Sequence, residues 1–229
     1  MASKTFQNIP KDKQDRVLRA AQIEFAKFGY HQANVSDICK RAGISNGALY
    51  KYFKNKSDLY QAVIQRQIEG KEEYMRGVVA STATCLEKLR MLMENTQTDV
   101  DARNDTFRIL LQLSTADMNS FAKKVTRRIE SSSFDHIRAI LTDGIARGEV
   151  RGDMDVEMTA HFVNSFCFFL YAAFVSEYHR IRLEEVFHIP FVADEAIQSA
   201  LVDRIMSWIT GMLSPAARAL HGRTGPEEK

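Results

Sequence analysis

Residues 34–56 read NVSDICKRAGISNGALYKYFKNK, and this stretch decides the fold. Asn34 is placed to cap a short helix, with Asp37 three residues on to complete a capping box and with Ile38 and Ala42 turned inward. Ala42 and Gly43 end that helix, because glycine tolerates the left-handed backbone of a tight turn. Ser45 then caps a second helix behind an inward Ile44. Two short helices set at an angle by a glycine turn make a helix-turn-helix. On the second helix Ile44, Leu49 and Phe53 recur at helical spacing and pack inward, which turns Asn46, Gly47, Tyr50 and Lys51 outward. Asn55 followed by Asp58 repeats the capping box at the start of a third helix.

That outward face carries the chemistry of DNA reading. Asn pairs bidentately with adenine, Lys donates to guanine, Ala48 fits a thymine methyl, and Gly47 lets the backbone sit close to a major groove. Tyr50, Tyr52 and Lys56, beside the exposed amides that open the third helix, suit backbone phosphate. A pair of ordinary core helices would share the apolar spacing, so it is the interleaving of aromatic residues with lysine that favours a DNA reader.

Residues 35–60, VSDICKRAGISNGALYKYFKNKSDLY, resemble the DNA-binding module of the TetR family of bacterial transcriptional regulators. The resemblance implies base reading by Ser36, Asn46, Gly47, Ala48 and Lys51, and phosphate contact by Ser45, Tyr50, Tyr52 and Lys56. Where many relatives carry Thr and Ala, this chain has Asn34 and Cys39. Ser36 is small where some relatives use a longer base-reading side chain, which leaves it phosphate as an alternative target. The resemblance also implies a homodimer, with the last two long helices of each copy joined in a four-helix bundle, and a small ligand bound in the later part of the chain.

Composition bounds the remaining classes. At 229 residues, 45% hydrophobic and 26% charged, the chain has material for one or two domains with a core and is too apolar to be disordered. Net charge is +2, yet residues 1–60 hold eleven Lys or Arg against five Asp or Glu, so the basic surplus sits with the motif. A basic module attracts polyanions and binds them in a salt-dependent way. Cys39, Cys85 and Cys167 form no C-x-x-C pair, so neither a disulfide framework nor a zinc site is expected, and a reducing cytoplasm fits. The start, MASKTFQNIPKDKQDR, lacks a signal-like apolar region, and Phe162 to Val175 is shorter than the ~20 residues of a membrane span, so neither secretion nor a membrane partner is expected. The six histidines stand apart, with no nucleophile beside a base and no carboxylate pair; no catalytic residue, metal or cofactor is expected.

In chain order, a loose start gives way near Pro10 to a helix whose stripe of Val17, Leu18, Ala21, Phe25 and Phe28 stops at Gly29. A long helix runs from Ser57 to about Val78. Helical periods follow over 85–93, 107–113 and 121–145, with polar breaks at 95–104 and 117–120, and no strand pattern occurs. Gly148 and Gly152 bracket a turn, after which Asp153 or Asp155 caps a helix running through HFVNSFCFFLYAAFVSEYHRI, residues 161–181. Apolar on nearly every side, that helix needs cover on two flanks, which a core and a second copy of the chain would supply. A helix over 196–213 with Leu201, Ile205, Trp208 and Ile209 is its natural neighbour. Between them, 183–193 with Phe187, Ile189, Pro190 and Phe191 is too apolar for a free loop, and the tail after Ser214 is expected to fray.

The reading that results is an all-α chain: a three-helix helix-turn-helix DNA-binding domain over 1–56, a larger helical ligand-binding and dimerisation domain over 57–214, and a flexible tail over 215–229. Phe107, Leu110, Leu111, Phe134 and Phe168 have the bulk to line a cavity, with His161, Asn164 and Tyr171 as polar anchors, which points to a hydrophobic or amphipathic effector such as a fatty acyl compound. A plain packed core would use the same residues. The expected function is a dimeric repressor, released by its effector from a palindromic double-stranded operator that its heads, ~34–36 Å apart, meet in neighbouring major grooves. The alternatives are a DNA-binding regulator without a small effector, and a helical lipid-binding or catalytic protein with a vestigial reader.

Overall fold

The computed structural model describes residues 2–94, 100–115, 120–188 and 195–215, and its regular elements among these are all helices. They are α1 (Lys4–Gln7), α2 (Lys11–Gln32), α3 (Val35–Ala42), α4 (Asn46–Tyr52), α5 (Lys56–Ala80), α6 (Cys85–Glu94), α7 (Val100–Thr115), α8 (Ser120–Ala146), α9 (Val156–Val175), α10 (Glu177–Phe187) and α11 (Glu195–Leu213). Of the two polar breaks, 95–99 and 117–119 lie outside the described residues, while 100–104 and Ser120 are already helical. The chain divides into two compact units, Met1–Glu73 with Asp99–Thr126, and Tyr74–Thr98 with Arg127–Lys229. This division follows packing and differs from a single cut after residue 56.

In the first unit the stripe on α2 forms as expected through Val17, Leu18, Ala21 and Phe25, all buried. Phe25 is the anchor, its ring edge-on to Tyr60 with centroids 4.8 Å apart. Phe28 departs from the expectation at 42% exposed, with the Lys27 ammonium 5.1 Å from its ring centre. The helix kinks immediately afterwards, at Gly29 (φ 70°, ψ 172°), a backbone that only glycine adopts readily.

α7 brings the buried Ile109 and Leu113 to this unit together with a set of polar bonds. Gln22 Nε2 donates to Thr106 Oγ1 (2.8 Å), Thr106 Oγ1 donates to Gln67 Oε1 (2.9 Å), and Gln67 Nε2 donates to Gln22 Oε1 (3.2 Å). This closed ring ties α2, α5 and α7 while each member both gives and accepts, as a buried polar cluster must if it is to stabilise. Beside it Asp105 pairs with Arg19 at 3.0 Å, and Gln112 Nε2 donates to Ala26 O at 3.1 Å. Burial pushes the Asp105 carboxyl above its ordinary range against the pull of Arg19 and Arg108.

The second unit has its own apolar core, which includes Leu89 and Met93 of α6, Ile137 and Leu141 of α8, Val163 of α9 and Ile209 of α11. Gly148 (φ 71°) makes the turn out of α8, and the Asp155 side chain caps α9 by accepting from Met158 N–H at 3.0 Å. The expected continuous helix through residue 181 is interrupted. Ser176 is extended (φ −132°, ψ 119°), with its Oγ 2.9 Å from His179 Nδ1, and α10 begins after it. Serine competes for helical bonding in this way through local side-chain bonds. Because α9 starts at Val156, its 20 residues reach the length of a bilayer span, which 162–175 alone does not. Ala160, Val163, Cys167, Leu170 and Ala173 are nonetheless buried in the core of the unit, as in the central helix of a folded domain. Leu201, Ile205 and Ile209 of α11 are buried as expected, whereas Trp208 is 52% exposed. Of the apolar segment 183–193, Leu183 and Phe187 belong to α10 and pack against the core, while 189–193 lie outside the described residues, as does the tail from 216.

Candidate DNA-reading head

Local chemistry builds α3 and α4. Asn34 caps α3, its Oδ1 accepting from Ser36 N–H at 2.8 Å. The reciprocal bond expected from Asp37 comes from elsewhere: Asn34 N–H donates to Oε1 of the buried Glu24 on α2 at 3.0 Å, and Asp37 pairs with Lys40 at 3.4 Å. Gly43 (φ 67°, ψ 40°) terminates α3 in the left-handed region. Ser45 Oγ accepts from Ala48 N–H at 3.2 Å and starts α4, and Asn55 Oδ1 accepts from Asp58 N–H at 2.8 Å at the start of α5.

Leu49 and Phe53 anchor α4 from beneath, so Ser45, Asn46, Gly47, Tyr50 and Lys51 all face outward, with Tyr50 56% exposed. Ala48 and Ser36 are half-buried at the edge of this face. Asn46 Nδ2 donates to Ser36 Oγ at 3.2 Å, which joins the two helices at the polar surface and brings two of the five predicted base readers together. A Cβ at Gly47 would meet nothing within 4 Å, so nothing inside the protein calls for glycine there.

Tyr52 and Lys56 are engaged within the protein. Tyr52 is 6% exposed, its ring 5.5 Å from that of Phe6. Lys56 Nζ donates to His31 O (3.0 Å) and Ala33 O (3.1 Å) and lies 5.2 Å from the Tyr30 ring centre, so it staples the end of α2 to the start of α5. Burial pushes the Cys39 thiol up and the Cys85 thiol up to about 11, so both stay protonated near neutral pH. Among the described residues no three His, Cys, Asp or Glu side chains gather as a metal site.

The predicted effector residues divide between the units. Phe107, Leu110 and Leu111 are half-buried on α7 in the first. Phe134, His161, Asn164, Phe168 and Tyr171 are in the second, where Phe134 stacks on the exposed His161 (6.0 Å, 7°) and Asn164 Nδ2 donates to Glu130 Oε2 at 3.2 Å. Phe168 lies exposed beside Phe169 and His179, and Tyr171 packs on the core. Two grooves of about 310 and 370 Å³ in this unit, one lined by Arg90, Asp203 and Met206 and the other by Lys88, Asp143 and Arg147, take in none of the eight.

Sequence reasoning missed two contributors. Glu24 gives no local signal, because a buried acid on the stripe side of α2 reads as a break in that stripe. Residues 3–6 were expected to be loose; instead Ser3 caps α1, and Phe6 is buried under Tyr52 and Phe53.

An all-α chain presenting two short helices around a left-handed glycine, with a polar exposed second helix, is a helix-turn-helix protein of the DNA-reading class. Residues 17–63 match the family described as bacterial regulatory proteins, tetR family. The fatty acid metabolism regulator protein of Bacillus subtilis (strain 168) is 29% identical over 153 residues, 67% of this chain and 78% of that one. The HTH-type transcriptional repressor KstR2 of Mycolicibacterium smegmatis (strain ATCC 700084 / mc(2)155) is 27% identical over 161 residues, 67% of this chain and 75% of that one. Among solved structures, the transcriptional regulator FadR from Bacillus subtilis in complex with stearoyl-CoA superposes with a TM-score of 0.63 at 22% identity, covering 88% of this chain and 98% of that one. Residues 17–63 thus carry the N-terminal module of the TetR family, and the chain is a transcriptional regulator.

Proposed function

We propose that the chain is a dimeric repressor that reads a palindromic operator with α4 and leaves it when a long-chain fatty acyl thioester binds. One observation carries the DNA part: Asn46 and Lys51 stand exposed on α4, with Asn46 bonded to Ser36 of α3. Ser36, Asn46, Gly47, Ala48 and Lys51 read base edges, and Ser45 and Tyr50 contact phosphate. Residues 1–56 form the DNA-binding domain and 57–214 the ligand-binding and dimerisation domain. Exposed Met158, Phe162 and Phe168 on α9 and Trp208 on α11 support a second copy as the partner of these helices. A bacterial regulator that binds the chromosome works in the cytoplasm. The effector class is supported by the fatty acid metabolism regulator and the stearoyl-CoA complex among its relatives.

On an operator fragment recovered by selection with the purified protein, Lys51→Ala is expected to lose about tenfold in affinity and to lose discrimination against unrelated DNA. Tyr50→Phe, which removes a phosphate-side hydroxyl, is expected to weaken all sequences alike. Wild-type affinity in both variants across a salt series would remove the assignment of α4. Stearoyl-CoA added to the wild-type complex is expected to release the fragment, while coenzyme A alone leaves it bound. Equal release by both, or by neither, would overturn the acyl part of the reading.

A further inference from the structure

The polar face of α4 can be useful only if the helix is held at a fixed pitch, and α4 is seven residues long. A helix that short is not stable in isolation; its last carbonyls lack partners within the helix, and its direction is set by what it touches. Leu49 holds its middle, and the Asn46–Ser36 bond holds its first turn. Its last turn is held by residues that precede that turn by more than 40 positions. Ser3 Oγ donates to Lys51 O at 2.8 Å, and Ser3 N–H donates to Tyr52 O at 2.9 Å. The same Ser3 oxygen accepts from Phe6 N–H at 3.3 Å, which starts α1 and lays the Phe6 ring against Phe53 and Tyr52, with centroids 4.7 and 5.5 Å away. From the far side Gln14 Nε2 donates to Gln7 O (3.2 Å) and Ile9 O (3.0 Å), which fixes the segment to α2.

We infer that Ser3 and Phe6 are positioning residues of the reading helix: they tie the C-terminal turn of α4, where Lys51 sits, to α2 and so set the angle at which the polar face meets DNA. The inference rests on the assignment of α4 as the reader. The Ser3 hydroxyl is donor and acceptor at once, which threonine reproduces and alanine does not. Its loss frees the carbonyl of the residue that reads the base while leaving the buried Leu49 and Phe53 in place.

The test uses the full chain, with Ser3→Ala, Ser3→Thr and Lys51→Ala measured on the selected operator fragment and on unrelated duplex at one salt concentration. Ser3→Ala is expected to lose about three- to tenfold in operator affinity while binding unrelated duplex as wild type does, as fits the loss of one hydrogen bond that positions a reader. Ser3→Thr is expected to restore the operator affinity. A role confined to stability would instead lower the melting temperature and weaken both DNAs together, and that result would overturn the inference. So would an unchanged ratio of operator to unrelated binding in Ser3→Ala while Lys51→Ala loses it. If Lys51→Ala also keeps that ratio, the assignment of α4 falls first and takes this inference with it.

Discussion

Phe25→Ala is expected to destabilise the first unit by about 3–5 kcal/mol, the usual cost of emptying a buried aromatic site. The ring is fully buried, edge-on to Tyr60 at 4.8 Å and 6.4 Å from Tyr30. It lies on the helix that supplies Glu24 to Asn34, so its void would open beneath the support of α3. Tyr60, whose phenol burial pushes up to about 12, cannot move into that void without carrying its hydroxyl further from water. In a chain of this size the loss corresponds to a fall of about 6–20 °C in melting temperature. Operator binding should fail at the temperature where the helical circular dichroism signal of the variant begins to drop. Phe28→Ala is the internal comparison: same residue type, same helix, yet 42% exposed, and expected to cost less than about 1 kcal/mol. Equal losses for the two would mean that burial on α2 does not decide stability here.

The contrast between Phe25 and Phe28 also marks where sequence reasoning stops. Period and stripe identify which residues share a face of α2, but not where the core under that face ends. The turn of the helix-turn-helix was legible because its causes are local: Gly43 at positive φ, Ser45 bonded three residues on, Asn55 bonded three residues on. Glu24 and Ser3 were illegible for the opposite reason, since their partners, Asn34 N–H and the carbonyls of Lys51 and Tyr52, are fixed by tertiary packing. The same limit applies to the effector residues. Phe107, Leu110 and Leu111 carry a helical period that says nothing of which helices they meet, and Asp105, Thr106 and Gln112, whose partners Arg19, Gln22 and Ala26 lie on α2, carry no local mark of that pairing. The break at Ser176 has no glycine or proline to announce it, only a serine with a histidine three residues later.

Gly144 offers the second large effect, in which two opposing terms must be compared. Alanine in place of glycine within a helix ordinarily gains about 1 kcal/mol, because it restricts the unfolded chain. At this position in α8 a Cβ would stand 2.6 Å from Cys85 Cβ, 2.9 Å from its Sγ and 3.3 Å from Val150 Cγ2. Carbon atoms in contact prefer about 3.5–4.0 Å, so roughly an ångström of separation would have to be found. α6 has little freedom to supply it. Cys85 N–H is held by Glu149 Oε2 at 2.6 Å, and Lys88, buried one turn on, donates to Val79 O at 3.0 Å and lies 3.4 Å from Asp143. Overpacking a site closed in this way costs about 3 kcal/mol or more, which exceeds the helical gain. Gly144→Ala should therefore lower the melting temperature by several degrees. Cys85→Ala in the same chain should restore only part of the loss, since it removes Sγ but keeps the Cβ that makes the closest contact. Cys85→Gly should relieve the contact altogether, leaving only its own cost in α6, so that Gly144→Ala becomes neutral or stabilising in that background. A single Gly144→Ala variant that melts higher than the wild type would show that α6 and α8 do not approach as described, because helix propensity would then be the only term left acting.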